Sequence, residues 1–282
     1  MINMTWIPFG ADESSYPALV DGIPPWLESP LAEWFMSEFY EEYQEDSGLL
    51  VRADRMRRFD FASRATPYTD HLRSYGPGQV WNMLREWEKF RFLDWLIRDN
   101  VTQGEDGNEE LEELLRDGGS KWRVGVRRGE AGLEERVAQG VAEAAESVMA
   151  TPGHAGELLS AAWHSAFGVS PDPERAYSKA IKAVEAAAIP VVSPNNTSAT
   201  LGSVLAQMRD QRDWKLELTR EESTNSSAGT LLGMVQTLWK GQNDRHAGAA
   251  GYTASTRAEA EAAVMLAVPL VQWFGSGAIA RR

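Results

Sequence analysis

Apolar residues recur at three- and four-residue intervals along most of this chain, the spacing that gives a helix one buried face. Leu31, Trp34, Phe35 and Phe39 predict a helix from Ser29 to about Tyr43, with Pro30 at its first helical position. Trp81, Leu84, Trp87, Phe92, Trp95 and Leu96 predict a second, from Val80 to about Asp99. Glu109 to Arg116 reads as a short helix stopped at Gly118 and Gly119. Leu133, Val137, Val141, Ala145 and Val148 predict an amphipathic helix from Leu133 to about Met149, closed by Thr151, Pro152 and Gly153. Between the last two, Trp122, Val124 and Val126 alternate with polar or small neighbours, which is the period of a half-buried strand. A lone strand leaves backbone groups unpaired, so a partner is required, and the segment from Trp6 to Phe9 is expected to supply it.

The helical spacing continues beyond Pro152. A helix is expected from His154 or Ala155 to Phe167, and another opened by Asp172 and Pro173, striped by Tyr177, Ala180, Ile181, Val184 and Ala188 and ended by Pro190. Thr200 opens a shorter one. Leu231, Met234, Val235 and Leu238 stripe the next, and Thr256 with Glu259 forms a capping box at the start of the last. The expected fold is mainly α: an aromatic-rich N-terminal domain with a small β element over residues 1–150, and a helical bundle over 151–282.

Composition agrees with packed cores, since 43% of the 282 residues are hydrophobic and 11 are Trp. The formal net charge of -13 argues against indiscriminate phosphate binding, which needs a positive field. One local exception runs from Arg52 to Arg64, where 5 Arg fall within thirteen residues. It reads either as a nucleic-acid contact or, as the charge-pairing rules favour, as a helix face answering the acidic residues nearby. Bases need exposed rings, so the crowd of aromatics between Val80 and Asp99 reads as core. With 0 Cys there is neither a disulfide nor a thiolate metal site. No apolar run approaches about 18 residues and no secretion signal opens the chain, so a cytoplasmic protein without a membrane partner is expected.

Candidate chemistry concentrates where the helix striped by Leu231 and Leu238 gives way to a polar cluster, Lys240 to His246. Were that helix to run on to His246, Gln242 and Asn243 would lie on the histidine's side and Arg245 would point away. A histidine of near-neutral pKa suits removal of a ribose 2′-hydroxyl proton, and Arg245 or Lys240 suits the cation that stabilises the crowded phosphate. The plainer reading is that His246 caps a helix end. Other motifs fail. His154 and His164 are ten apart, which is not the spacing of a helical metal pair, and neither a phosphate loop nor a nucleophile elbow occurs.

The stretch Leu238 to Ala247, with a histidine followed by a small residue and then a helix rich in Ala and Val, resembles the HEPN superfamily, and more narrowly the C-terminal domain of abortive-infection proteins. Ala162 to Gly168, Pro171 to Tyr177 and Ala180 to Glu185 extend the resemblance over roughly residues 155–275, and Asp117-Gly-Gly-Ser-Lys-Trp122 resembles the segment that in some abortive-infection proteins joins the N-terminal part to the helical part. In that group an arginine stands some four to six residues ahead of the histidine; here Trp239 and Lys240 hold those places and Arg245 adjoins His246. The resemblance implies a dimeric HEPN-like bundle acting in antiviral defence as an endoribonuclease that needs neither metal nor cofactor. His246 would be its base, Arg245 or Lys240 its cation, with Gln242 and Asn243 beside them, and a protein trigger is expected for the N-terminal half. A binding or assembly bundle without catalysis, and a phage-encoded interaction protein, are the competing expectations.

Overall fold

The computed structural model describes residues 19–43, 48–65, 67–127, 130–218, 220, 226–242 and 253–281. These residues are mainly helical, with twelve helices and three two-stranded sheets among them. Contacts divide the chain into two compact units, Met1–Gly125 with Ala131–Arg136, and Val126–Glu130 with Val137–Arg282.

The first unit is built on α1 (Pro25–Ser37), β1 (Tyr40–Tyr43), β2 (Gly48–Val51), α2 (Ala53–Ser63), α3 (Thr69–Tyr75), α4 (Pro77–Met83), α5 (Glu86–Gln103) and α6 (Gly107–Asp117). The hairpin partners β3 (Trp122–Arg127) and β4 (Glu130–Glu135) follow. Helix α1 begins one turn earlier than the Ser29 boundary, because Leu27 extends the buried stripe of Leu31, Trp34 and Phe35 and Pro25 suits the first helical position; Pro30 is therefore interior. It also stops earlier. Tyr40 to Tyr43 leave the helix to pair antiparallel with Val51 to Gly48.

The long helix expected over Val80–Asp99 is two helices, α4 and α5, broken where Leu84 turns extended and Arg85 becomes the N-cap of α5. The Glu88 carboxylate accepts from the Arg85 amide at 2.9 Å, which satisfies a donor that the new helix start would otherwise leave open. The aromatics of this region are chiefly core, as expected. Phe92 stacks on Phe59 with ring centroids 3.6 Å apart and meets Phe35 edge-on at 5.1 Å. Residues Leu133 to Glu135, expected to open a helix, belong instead to β4, which supplies the partner that β3 requires. Gly125 lets the strands close up, since a Cβ there would lie 2.2 Å from the Glu134 carboxyl carbon. The segment Trp6–Phe9, expected in that role, lies outside the described residues.

The second unit contains α7 (Gln139–Ala150), α8 (His154–Phe167), α9 (Pro173–Val192), α10 (Leu201–Gln211), β5 (Trp214–Leu216), α11 (Ser227–Gly241), α12 (Arg257–Gly275) and β6 (Ile279–Arg281). Helices α8, α9 and α12 pack against one another around Leu159, Ala162, Ala180, Val184, Val264 and Ala267, small and branched side chains that permit close approach. The caps lie where the pattern put them. Asp172 accepts from the Arg175 amide at 3.0 Å, Thr200 from Ser203 at 3.4 Å, and Thr256 from Glu259 at 3.3 Å. Helix α9 runs past the expected end at Pro190 to Val192. Strands β5 and β6 pair antiparallel, and Arg281 clamps the pair by donating to Asp213 at 2.6 and 2.8 Å.

Candidate functional site

Helix α11 carries the residues from which the candidate site starts. Ser226 caps it by accepting from the Gly229 amide at 3.2 Å, and Leu231, Val235 and Leu238 are its buried stripe, with Met234 half-buried. Two close contacts fix its C-terminal half. A Cβ on Gly202 of α10 would lie 2.6 Å from the Trp239 indole, so only glycine allows α10 this near. From α9, the buried Tyr177 hydroxyl donates to the Leu238 carbonyl at 3.2 Å, satisfying one of the acceptors that a helix end leaves open.

The helix then stops. Gln242 is its C-cap, with φ -79 and ψ 110, an extended conformation. The helix therefore does not run on to His246, which was the condition for a helical repeat to place Gln242 on the histidine's side. Two causes meet there: Gly241 is a weak helix former, and the oxygen of Tyr177, from α9, occupies the space a side chain there would need. Lys240 stands in the last turn of α11, exposed, and Gln242 is half-buried. Asn243, Arg245 and His246 lie outside the described residues. The structure thus brings Lys240 and Gln242 to one end of α11. Beyond the residues left undescribed, Thr256 caps α12, where its backbone amide and hydroxyl hold the Glu259 carboxylate below its usual range.

A cleft of about 270 Å³ lies elsewhere in this unit, between the end of α10 and the start of α11, lined by Met208, Arg209, Arg212, Trp214, Ser226 and Leu232. The α11 residues that line it, Ser226 to Leu232, are roughly 12–20 Å along the helix from Lys240, too far for one substrate atom to meet both. Arg209 and Arg212 there stand at the C-terminal end of α10, where cations answer the helix dipole.

In the first unit the basic run resolves into two opposite faces of α2. Arg55 is 0% exposed and lies among Glu38, Asp99, Asn100 and Glu105. It donates to the Glu38 carbonyl at 3.0 Å and to Glu105 at 2.9 Å, and it pairs with the Glu38 and Asp99 carboxylates at 2.7 and 3.0 Å. Arg52 adds to Glu105, and Arg58 to Asp99 at 2.9 Å. Burial pushes the Glu38 carboxyl above the usual range, against the pull of Arg55, whereas the Arg52 hydrogen bond holds Glu105 below it. The arginines are charge-paired, as expected, but inside the unit, and apart from Glu38 at the end of α1 the partners, Asp99 and Glu105, come from α5 and the turn after it and not from the neighbouring acidic helix. The network's signal was present in the sequence: Arg55 is four residues from Phe59 and adjoins Met56, on the buried side of the helix.

Among the described residues no group of three His, Asp or Glu side chains is arranged to hold a metal ion, and no helix is long and apolar enough to cross a membrane. The chain matches no family model, no curated protein and no solved structure.

Proposed function

We propose that the chain is an antiviral protein of the abortive-infection kind, whose C-terminal helices form a HEPN-like bundle acting on RNA as an endoribonuclease. The reading rests on the resemblance of residues 155–275. The observation that supports it best is the exposed Lys240 at a firmly held helix end, a few residues ahead of Arg245 and His246 in sequence. His246 takes the proton from a ribose 2′-hydroxyl, and the alkoxide attacks the adjacent phosphorus. Lys240 or Arg245, from the same chain or from a second copy, stabilises the charge on the phosphate oxygens. The 5′-oxygen leaves with a proton, giving a 2′,3′-cyclic phosphate and a 5′-hydroxyl. No metal takes part in this scheme.

A second reading keeps the helices and drops the cutting, making the second unit a binding or assembly module. It is favoured by the end of α11 at Gly241, which removes the helical argument for Gln242 beside His246. One experiment separates the two. Purified chain incubated with RNA yields 2′,3′-cyclic phosphate ends under the first reading, and His246→Ala abolishes them while the circular dichroism of the helices is unchanged. Intact RNA, or cleavage that survives His246→Ala, sinks the nuclease and leaves the module.

A further inference from the structure

The cleft between the end of α10 and the start of α11 has an uneven lining. Met208, Trp214 and Leu232 supply its apolar part, and Trp214 adds no polar group, since its indole Nε1 donates to the Gln211 side chain. The polar side chains that line it are Arg209, Arg212 and Ser226. All three can donate. A guanidinium has no acceptor, and the Ser226 oxygen already accepts from the Gly229 amide at 3.2 Å, which leaves its hydrogen for a ligand. Among the described residues no carboxylate lines the cleft, in a chain that carries 41 Asp and Glu against 28 Lys and Arg.

The acids nearest in sequence do not neutralise these two arginines. Asp213 is committed to Arg281, from which it accepts at 2.6 and 2.8 Å. Asp210 stands 3.5 Å from the Arg209 Nε, longer than a charge-assisted hydrogen bond, and both side chains are mostly exposed, where such a pair is screened. Arg212 is also kept in place against the preference of its backbone. It is the C-cap of α10 at φ 59, a left-handed conformation that glycine adopts without crowding. The helix dipole accounts for cations at this end of α10, but it does not call for a cavity between them and an apolar wall.

We propose that this cleft binds a small phosphate monoester carried on a flat ring, the class of a nucleoside monophosphate. A phosphate monoester carries roughly 1.5 to 2 negative charges at pH 7 and offers three acceptor oxygens, which suits two guanidiniums and a hydroxyl. An aromatic carboxylate brings one charge and matches them less well. Met208, Trp214 and Leu232 give the ring an apolar surface on which to shed water. The volume of about 270 Å³ falls short of the roughly 300 Å³ at which pockets for drug-sized ligands begin, so the occupant is a single nucleotide and not a strand. The site is distinct from Lys240, and the inference holds for a cutting or a non-cutting second unit.

The test is isothermal titration calorimetry of the full chain with adenosine 5′-monophosphate at low ionic strength. One saturable site is expected, with adenosine and inorganic phosphate each bound at least about 10-fold more weakly, because each brings only part of the contacts. Arg209→Gln and Arg212→Gln should each weaken binding roughly 10- to 100-fold, the effect of losing a hydrogen bond to a charged group. Arg212→Gly should weaken it as much while melting no lower than the parent, which separates lost contact from lost fold. Lys240→Gln, at the other end of α11, should leave the affinity unchanged. Absence of binding overturns the proposal, as does binding that neither arginine variant weakens. Binding lost with Lys240→Gln would move the nucleotide to the candidate cutting site and overturn it likewise. Inorganic phosphate bound as tightly as the nucleotide, or benzoate as tightly as phenyl phosphate, would strike the ring or the phosphate from the assignment and with it the nucleotide. A chain that binds the nucleotide through Arg209 and Arg212 and leaves RNA intact keeps this inference and loses the nuclease; one that cuts RNA and ignores the nucleotide does the reverse.

Discussion

The Tyr177 hydroxyl lies 3.2 Å from the Leu238 carbonyl oxygen, and a Cβ on Gly241 would lie 2.3 Å from that same hydroxyl. One phenol therefore both closes the last turn of α11 and demands glycine three residues later. Tyr177 is buried, so it cannot swing aside. Tyr177→Phe is expected to cost about 1 kcal/mol, the worth of one ordinary hydrogen bond with its acceptor left dry. Gly241→Ala is expected to cost about 1–3 kcal/mol through overpacking, although alanine is the better helix former. Urea denaturation of the full chain measures both. A Gly241→Ala chain as stable as the parent would show that Tyr177 does not hold the helix end.

The basic run of α2 yields a contrast between neighbours. Arg55 is fully buried among Glu38, Asp99 and Glu105, so Arg55→Ala leaves these carboxylates without their shared cation and should destabilise by about 3–5 kcal/mol. Arg57, two residues on, is exposed and should tolerate alanine within about 0.5 kcal/mol. Thermal melts of the two variants under one buffer decide the matter. Similar losses for both would mean that the interior network does not carry the unit.

The same network sets a pH dependence with two opposing signs. Glu105 has its folded pKa below the unfolded value, first through the Arg52 hydrogen bond. Its stabilisation is therefore present above the usual carboxylate range near 4.5 and is lost as pH falls through the folded pKa. Glu38 is raised by burial, so the stabilisation linked to its proton is present in acid and is lost as pH rises through its folded pKa. Glu105→Gln should flatten the acid limb of the stability profile. Glu38→Gln should lessen the penalty at neutral pH and change little in acid. Chemical denaturation from pH 3 to pH 8 reads both slopes, and equal shifts at every pH would contradict the assignment.

Much of the fold was legible before any coordinates. Asp172 and Pro173, Thr200, and Thr256 with Glu259 all start helices where expected, because capping is a contest between a side chain and backbone groups within four residues. The buried stripe of α11 was legible for a similar reason, through its repeat. Leu133 was misread. Its spacing to Val137 and Val141 suits a helix, but the pairing of β4 with β3 outweighed local preference. The candidate site was legible only as a polar cluster after a helix; its geometry was not, since the end of α11 depends on a tyrosine more than sixty residues away.

The amino-acid order alone determined which class of element most segments adopt and where their ends are sealed, since both depend on neighbours a turn away. Only the tertiary structure decided that Arg55 is interior while Arg57 is not, that β4 is a strand, and that α11 halts at Gly241. Each of those outcomes turns on a partner outside the helical turn in which the residue stands, and the local repeat only hints at it for Arg55.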